Sequence, residues 1–337
     1  MQPSARSDDL SRRAARLEPL PQVAVLIPCY NEAATVGQVI TGFRAALPDA
    51  VIYVYDNNSS DRTAEIARAA GAVVRRERLL GKGNVVRRMF GDIDADVYLL
   101  VDGDATYDAA AAPAMVELLI ANHLDLVNAC RITAIKRAYR SGHRLGNALL
   151  TWLVGAIFGR GLTDMLSGYK VFSRRFVKSI PLLSTGFEIE TELAVHALAL
   201  RMPIAELQTA YKDRPEGSDS KLNTYRDGLR ILRIIFLLIK EERPLSFFGF
   251  LSLLLAAISL ALATPVMITF TATGLVPRLP TALLATGIML LAFLSLSCGL
   301  ILDTVTRGRK EIKRLAYLAA VPVARASTVA PDPSSLP

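Results

Sequence analysis

The chain has 337 residues, enough for one full α/β domain plus a further element, and 52% of them are hydrophobic, which is high for a soluble protein. The excess lies towards the C-terminal end and points to membrane segments. A net charge of +8 suits a nucleic-acid binder or a membrane protein with basic flanks, and the apolar C-terminal runs favour the second, so no nucleic-acid partner is expected. The three cysteines, Cys29, Cys130 and Cys298, are odd in number and lack metal-ligand spacing, which implies a reducing compartment without a disulfide framework.

Residues 1–21 form a basic N-terminal arm that lacks the apolar stretch of a signal peptide. Val23–Ile27 is a short continuous apolar run and predicts a buried strand. The turn Pro28-Cys29-Tyr30-Asn31-Glu32 follows, then helical periodicity through Val36, Val39, Ile40 and Phe43. Val51–Tyr55 predicts a second strand ending at Asp56, and the turn-rich Asn57–Asp61 leads into a helix over 63–70 closed by Gly71. Val73-Val74 is a third strand, and Gly81-Lys82-Gly83-Asn84 opens another helix. Val97–Val101 predicts a strand that stops at Asp102-Gly103-Asp104-Ala105-Thr106-Tyr107. A helix over 109–121, a strand over 125–129 followed by Arg131, and an apolar helix over 145–158 come next. Strands alternating with helices predict an α/β fold with a mainly parallel, doubly wound sheet. Such sheets bind ligands at the carboxyl ends of their strands, where the Pro28 turn, Asp56 and Asp102 all fall.

Two carboxylates at a strand end can hold a hard divalent cation, and Gly103 lets the backbone approach a ligand closely. A polar turn is the plainer reading of Asp-Gly, but the convergence of strand ends favours a site. Gly81-Lys82-Gly83 offers free amides and one ammonium, which suits phosphate. It is no Walker A loop, and no Gly-x-Gly-x-x-Gly follows the first strand, which argues against a dinucleotide oxidoreductase. Together these residues suggest a nucleoside diphosphate held by a cation.

The Pro28–Glu32 turn, the Asp56–Thr63 segment, the Gly81–Asn84 loop and the Asp102-Gly103-Asp104 pair resemble the family 2 glycosyltransferases of GT-A fold. More narrowly the chain is similar to the polyprenyl-phosphate glycosyltransferases, over about residues 23–243. The resemblance implies a GT-A, Rossmann-like catalytic domain over 22–223. It implies that Pro28, Tyr30, Glu32, Asp56, Lys82 and Asp102 hold the donor nucleotide, and that Asp102 and Asp104 bind Mg2+ or Mn2+ on its diphosphate. Thr106 stands where many relatives carry Gln or another polar side chain. Arg131 and Arg144 are implied to approach the acceptor phosphate, with Asn147 in place of a serine of the relatives. Asp164–Lys170 matches a loop of Asp-x-x-Ser-Gly-Phe-Arg type that lines the sugar and acceptor side and includes Ser167. Arg214–Leu222 matches Arg-x-x-Gly-x-Ser-Lys-Leu with one extra residue, which implies a loop closing over the site and brings in Arg214 and Lys221. Asp104 and Arg214 are the residues expected to carry catalysis. Gly186–Glu192 opens a helix with acids near its positive end; dipole capping and a place for Glu192 on the acceptor face both stay open. His196, among Ala and Leu, reads as structural.

Over 224–243, Leu229, Leu232, Ile235, Phe236 and Ile239 lie opposite Arg226, Arg230 and Arg233, the pattern of an amphipathic helix on a lipid surface. A hairpin over 244–306 follows, with uncharged spans at about 245–270 and 281–302 and a kink expected at Pro265. Residues 307–337 read as a basic, then disordered, tail. Cationic residues flank both outer ends of the hairpin, which predicts a multi-pass protein of the inner (plasma) membrane with catalytic domain and both termini cytoplasmic. The expected activity is inverting transfer of one sugar from a nucleotide sugar, UDP-hexose or UDP-hexuronate before GDP-mannose, to a polyprenyl phosphate. A processive polysaccharide synthase is one rival, but it resembles a Gln-x-x-Arg-Trp pattern and the single Trp, Trp152, has no such context. A non-catalytic membrane scaffold is the other. The resemblance also implies a homo-oligomer, up to a tetramer.

Overall fold

The structure is a computed structural model that describes residues 21–132, 151–152, 154–155, 158, 162–212, 236–237 and 239–320. The chain divides into two compact units, one of residues 1–222 with 313–337, the other of residues 223–312. The N-terminal arm up to residue 20, most of the amphipathic stretch and the tail beyond residue 320 lie outside the described residues.

The first unit is built on a sheet of seven strands: β1 (Val23–Cys29), β2 (Val51–Asp56), β3 (Val73–Arg76), β4 (Val97–Leu100), β5 (Leu126–Ile132), β6 (Lys170–Ser173) and β7 (Ile204–Ala210). Its helices are α1 (Val36–Ala46), α2 (Thr63–Ala69), α3 (Lys82–Asp92), α4 (Ala112–Ala121), α5 (Arg174–Ser179) and α6 (Ile189–Ala199). The spatial order is β3-β2-β1-β4-β6-β5-β7. β1 pairs in parallel with β2 and β4, β2 with β3, and β5 with β7. β6 runs antiparallel to both its neighbours, β4 and β5. The apolar run of β1 and the apolar stripe of α1 are buried as their patterns require: Val25, Leu26 and Ile27 inside the sheet, Val36, Val39, Ile40 and Phe43 against it.

Two departures from the sequence expectation concern this sheet. Lys170, the last residue of the expected loop, begins β6, a strand of four fully buried residues, Lys170-Val171-Phe172-Ser173. Its two polar members hide it from any hydrophobic run. They find partners in the fold instead: Lys170 Nζ donates to Asn128 Oδ1 at 2.6 Å, and Ser173 Oγ to Asp125 Oδ1 at 2.6 Å. β5 also runs on to Ile132, so Arg131 lies within a strand rather than after it.

Register fixes where the strands end. The β1–β2 pairing sets Cys29 opposite Asp56, and Leu26 faces Leu100 across the β1–β4 pairing. The Pro28 turn, Asp56 and Asp102 therefore emerge on one edge of the sheet. Away from that edge, His196 is buried against Phe176 and within 3.1 Å of Ser179 Oγ; burial, with Lys313 adding to it, pushes its pKa down to about 3. The structural reading of His196 agrees with this packing. Tyr317 OH donates to Asp125 Oδ2 at 2.8 Å within the same unit.

Among the described residues the second unit contains two helices long and apolar enough to cross a membrane, α7 (Pro244–Thr273) and α8 (Leu279–Ala319), the last residues of α8 from Lys313 counting with the first unit. α7 continues through Pro265 as one helix and ends at Gly274, whose φ of +69° supplies the left-handed turn. The helix α8 extends far past residue 302, so Arg307, Arg309, Lys310, Lys313 and Arg314 lie on it. Ser259 Oγ donates to the Ala285 carbonyl at 2.7 Å and Ser295 Oγ to the Phe248 carbonyl at 3.1 Å. Small hydroxyl residues between close-packed apolar helices are the usual means of association where water is absent.

Leu99, at the centre of β4, is fully buried. Leu99→Ala is expected to lower stability by about 2–5 kcal/mol, read as a shift in the denaturation midpoint of the purified chain.

Candidate active site

Two turns form the outer rim. The Asn31 amide donates to Ser59 Oγ at 2.9 Å, the Ser60 amide to Asn31 Oδ1 at 2.8 Å, and the Glu32 amide to Thr63 Oγ1 at 2.8 Å. Asn31 and Asn58 both take positive φ, 53° and 62°, a conformation that asparagine tolerates. The stitching leaves Tyr30 at the surface, 42% exposed, and Asp56 buried with its Oδ1 accepting the Ser59 amide at 3.3 Å. Thr35 Oγ1 donates to the Gly103 carbonyl at 2.7 Å and lies 3.2 Å from Glu32 Oε2, which joins this rim to the acid pair. A Cβ on Gly103 would sit 2.8 Å from Cys29 Sγ, so the close approach of the two strand ends needs glycine there.

The centre of the site is an ammonium between two carboxylates. Lys82 Nζ lies 2.5 Å from Asp102 Oδ1 and also contacts Glu190 Oε1. Burial acts against the charge of Lys82, but Asp102 and Glu190 outweigh it and hold its pKa above the usual lysine value. Burial raises the pKa of Glu190; Lys82 pulls it down and Asp102 pushes it up. Glu190 was not among the residues expected from sequence. The neighbouring acid Glu192, for which capping and an acceptor-face role both stood open, accepts the amides of Leu183 and Ser184 at 2.9 and 2.8 Å and so fastens a loop. The only signal for Glu190 in the sequence was the acid-rich start of α6, which does not say which acid turns inward.

The phosphate-loop reading of Gly81-Lys82-Gly83 needs correction. The Gly81 amide donates to Asn57 Oδ1 at 2.7 Å and the Gly83 amide to the Thr185 carbonyl at 3.1 Å, so neither is open to phosphate. A Cβ on Gly81 would come within 2.1 Å of the Thr185 carbonyl oxygen, and one on Gly83 within 2.2 Å of that of Ser184. These glycines serve backbone packing; what the turn offers to a ligand is the Lys82 side chain.

At the acid pair, Ala105 takes a φ of 58°, unusual for a residue with a Cβ, and this strain sits between Asp104 and Thr106. Thr106 bonds to Asp104 Oδ1 through its hydroxyl at 2.6 Å and its amide at 3.2 Å, and so orients that carboxylate. Gly168 makes room for Asp102: a Cβ there would lie 2.1 Å from Asp102 Oδ2. The Gly168 amide donates to Tyr107 OH at 2.7 Å, which locks the Asp164–Gly168 loop against the segment after β4.

Next to the Asp164–Gly168 loop, Arg131 forms a two-point pair with Asp164, Nε to Oδ2 at 2.6 Å and Nη2 to Oδ1 at 2.8 Å, and lies over the Tyr211 ring at 5.4 Å. The pKa of Asp164 is held down: burial opposes this, and the Arg131 bonds overcome it. Lys170 is fully buried beyond it, and burial pushes its pKa down to about 8 against the pull of Asp164 and Glu190. Ser167, implied by the resemblance to line the acceptor side, is fully buried here, and its hydroxyl turns back to the Tyr169 backbone at 3.3–3.4 Å. Arg144, Asn147, Arg214 and Lys221 lie outside the described residues.

Among the described residues no group of three or more His, Cys, Asp or Glu side chains stands ready to hold a metal. Asp102 and Asp104 supply two carboxylates, which is what a small divalent cation uses when substrate phosphates complete its shell. The Asp102 carboxylate is 29% exposed and so within reach of a cation, and the chemistry of the two-carboxylate set fits the ion.

The profile of glycosyl transferase family 2 matches residues 24–180. Glycosyltransferase AglJ of Haloferax volcanii is 35% identical over 242 residues, covering 72% of this chain and 80% of the relative. The chain belongs to glycosyl transferase family 2. As a member it is a transferase enzyme, and it is also similar to a dolichyl-phosphate hexose transferase of Haloferax volcanii, 28% identical over 222 residues, 66% of this chain and 95% of that one. Its fold is that of a Mycobacterium tuberculosis glucosyl-3-phosphoglycerate synthase, solved in complex with Mn2+, UDP-glucose and phosphoglyceric acid. That match has a TM-score of 0.52 and 24% identity, covers 72% of this chain and 85% of the other, and speaks to the fold alone. The sheet of this family 2 transferase is thus a GT-A sheet, as the motifs implied.

Gly168→Ala tests whether the seat of Asp102 matters. It is expected to displace the carboxylate and lower sugar transfer by about 100-fold, with an unchanged far-ultraviolet circular dichroism spectrum.

Proposed function

We propose that this enzyme transfers a single sugar from a nucleotide sugar to a polyprenyl phosphate, with inversion at the anomeric carbon. The observation that carries the reading is the combination, in one chain, of a strand-end rim bearing Asp102, Asp104 and Lys82 with two helices long and apolar enough to cross a membrane. The similarity to a dolichyl-phosphate hexose transferase supports a lipid phosphate as acceptor. A UDP-hexose or UDP-hexuronate is the favoured donor ahead of GDP-mannose.

On this reading Pro28, Tyr30, Glu32 and Asp56 hold the nucleoside, with the exposed Tyr30 ring as a face for the base. Asp102 and Asp104 hold Mg2+ or Mn2+. When bound, the ion neutralises charge on the departing nucleoside diphosphate. Lys82 adds a second positive charge to the donor phosphates. A phosphate monoester has its second pKa at about 6, so the acceptor is already an anion at neutral pH and needs little help from a base. The harder task is bringing two anions together. Arg131, with Arg144 and Arg214 from outside the described residues, reduces that repulsion and orients the acceptor, aided by Asn147 and Lys221.

The proposed domain plan is a catalytic domain over 22–223, an amphipathic juxtamembrane helix over 224–243 and a membrane hairpin over 244–306. The catalytic domain and both termini are assigned to the cytoplasmic side of the inner membrane, and the assembly to a homo-oligomer.

The full chain, purified in detergent, is to be offered a panel of radiolabelled nucleotide sugars with a polyprenyl phosphate. Label in an organic-soluble lipid-linked monosaccharide is the expected result. Long polymer would indicate a processive synthase instead, and no transfer from any donor would reject the reading. Asp104→Asn is expected to abolish transfer while membrane insertion stays as in the unaltered chain; full activity would exclude the metal role.

A further inference from the structure

Lys82 makes two ionic contacts that are not equivalent. Its own side chain is 9% exposed and that of Glu190 is 7% exposed, whereas that of Asp102 is 29% exposed. The ammonium is thus buried on its Glu190 side and open on its Asp102 side. An ammonium carries three donors and can bridge two carboxylates, but it is a single positive charge. A divalent cation arriving at Asp102 would share that carboxylate with Lys82, and two cations in one small site repel strongly.

The surroundings limit what can yield. The backbone on both sides of Lys82 is tied, Gly81 to Asn57 and Gly83 to Thr185, and the carbonyls of Ser184 and Thr185 leave it no room to retreat. Glu192, the next acid on α6 after Glu190, is taken by the amides of Leu183 and Ser184. The flexible stem of Lys82 is therefore the moving part, and Glu190 is the carboxylate that can keep it.

We infer that Lys82 is an internal counter-ion which a divalent cation has to displace from Asp102, and that Glu190 is the berth that retains the displaced ammonium. Lys82 and Glu190 are then positioning residues that set the affinity of the site for the cation before donor binds. This inference rests on the reading of Asp102 and Asp104 as cation ligands. The two substitutions have opposite signs. Lys82→Met removes the competitor and tightens cation binding. Glu190→Gln leaves the ammonium wholly on Asp102 and weakens it.

The test is Mn2+ binding to the full chain in detergent without nucleotide, measured from the electron paramagnetic resonance signal of free Mn2+. The expected result is a dissociation constant lowered about fivefold or more by Lys82→Met and raised by a similar factor by Glu190→Gln. Unchanged or weaker binding in folded Lys82→Met, or binding in Glu190→Gln as tight as in the unaltered chain, overturns the inference. Thermal unfolding of each variant checks its fold, and if Lys82→Met does not fold, Glu190→Gln decides alone. Asp102→Asn and Asp104→Asn separate the two levels. If neither weakens Mn2+ binding, the metal reading itself fails; if both do while the Lys82 and Glu190 variants bind as the unaltered chain does, only the counter-ion inference fails.

Discussion

One buried ammonium holds three separate segments of the candidate site together. Lys82 stands at the start of α3, Asp102 just past the end of β4, and Glu190 in the first turn of α6, and its charge joins all three. Removing water from a single such charge is costly, and the cost is offset only because two carboxylates share it. The arrangement explains the tight glycine packing around it. Gly81 and Gly83 let the α3 turn press against Ser184 and Thr185, and Gly168 gives the Asp102 carboxylate its space. A methyl group at any of these positions would push apart the segments that the ion pairs connect.

A second charged system runs alongside. Arg131 is clamped by Asp164 and stacked on Tyr211, while Lys170 lies buried between Asn128 and the acids nearby. Arg131 and Lys170 are thus each already oriented by a partner. For charges held in a transferase site, orientation in advance is worth more than a flexible cation, because less order has to be imposed during the reaction. The strain at Ala105 belongs to the same design, since it sets the Asp104 carboxylate under the Thr106 hydroxyl and amide.

The second unit obeys a different constraint. Apolar side chains such as Phe250, Leu253, Leu290 and Phe293 are exposed along α7 and α8, and water would not tolerate so large a patch. Ser259 and Ser295 bond across the hairpin, exposed hydroxyls such as Thr264 and Thr286 bond back to their own helix, and charges gather past the apolar part, where Lys310 pairs with Glu242 at 3.0 Å. That division of surfaces is what a lipid environment requires.

Much of this was legible in the chain itself. The strands β1, β2 and β4 are short apolar runs with turn residues at their ends, and the two long helices each contain an uncharged apolar stretch of more than 20 residues, about 245–270 and 281–302; both signals are local and survive without any knowledge of neighbours. The acids at positions 56, 102 and 104 could be assigned to strand ends for the same reason. The antiparallel β6 was hidden because two of its four residues are polar and become acceptable in the core only through Asn128 and Asp125. The amides of Gly81 and Gly83 looked open because their acceptors come from elsewhere in the chain, and Glu190 lies 108 residues from Lys82. Sequence alone determined which residues would line the sheet edge and which stretches would avoid water, because hydrophobic periodicity and turn chemistry act over a few residues. Tertiary structure alone decided which charge meets which, since ion pairing depends on approach in space and not on separation along the chain.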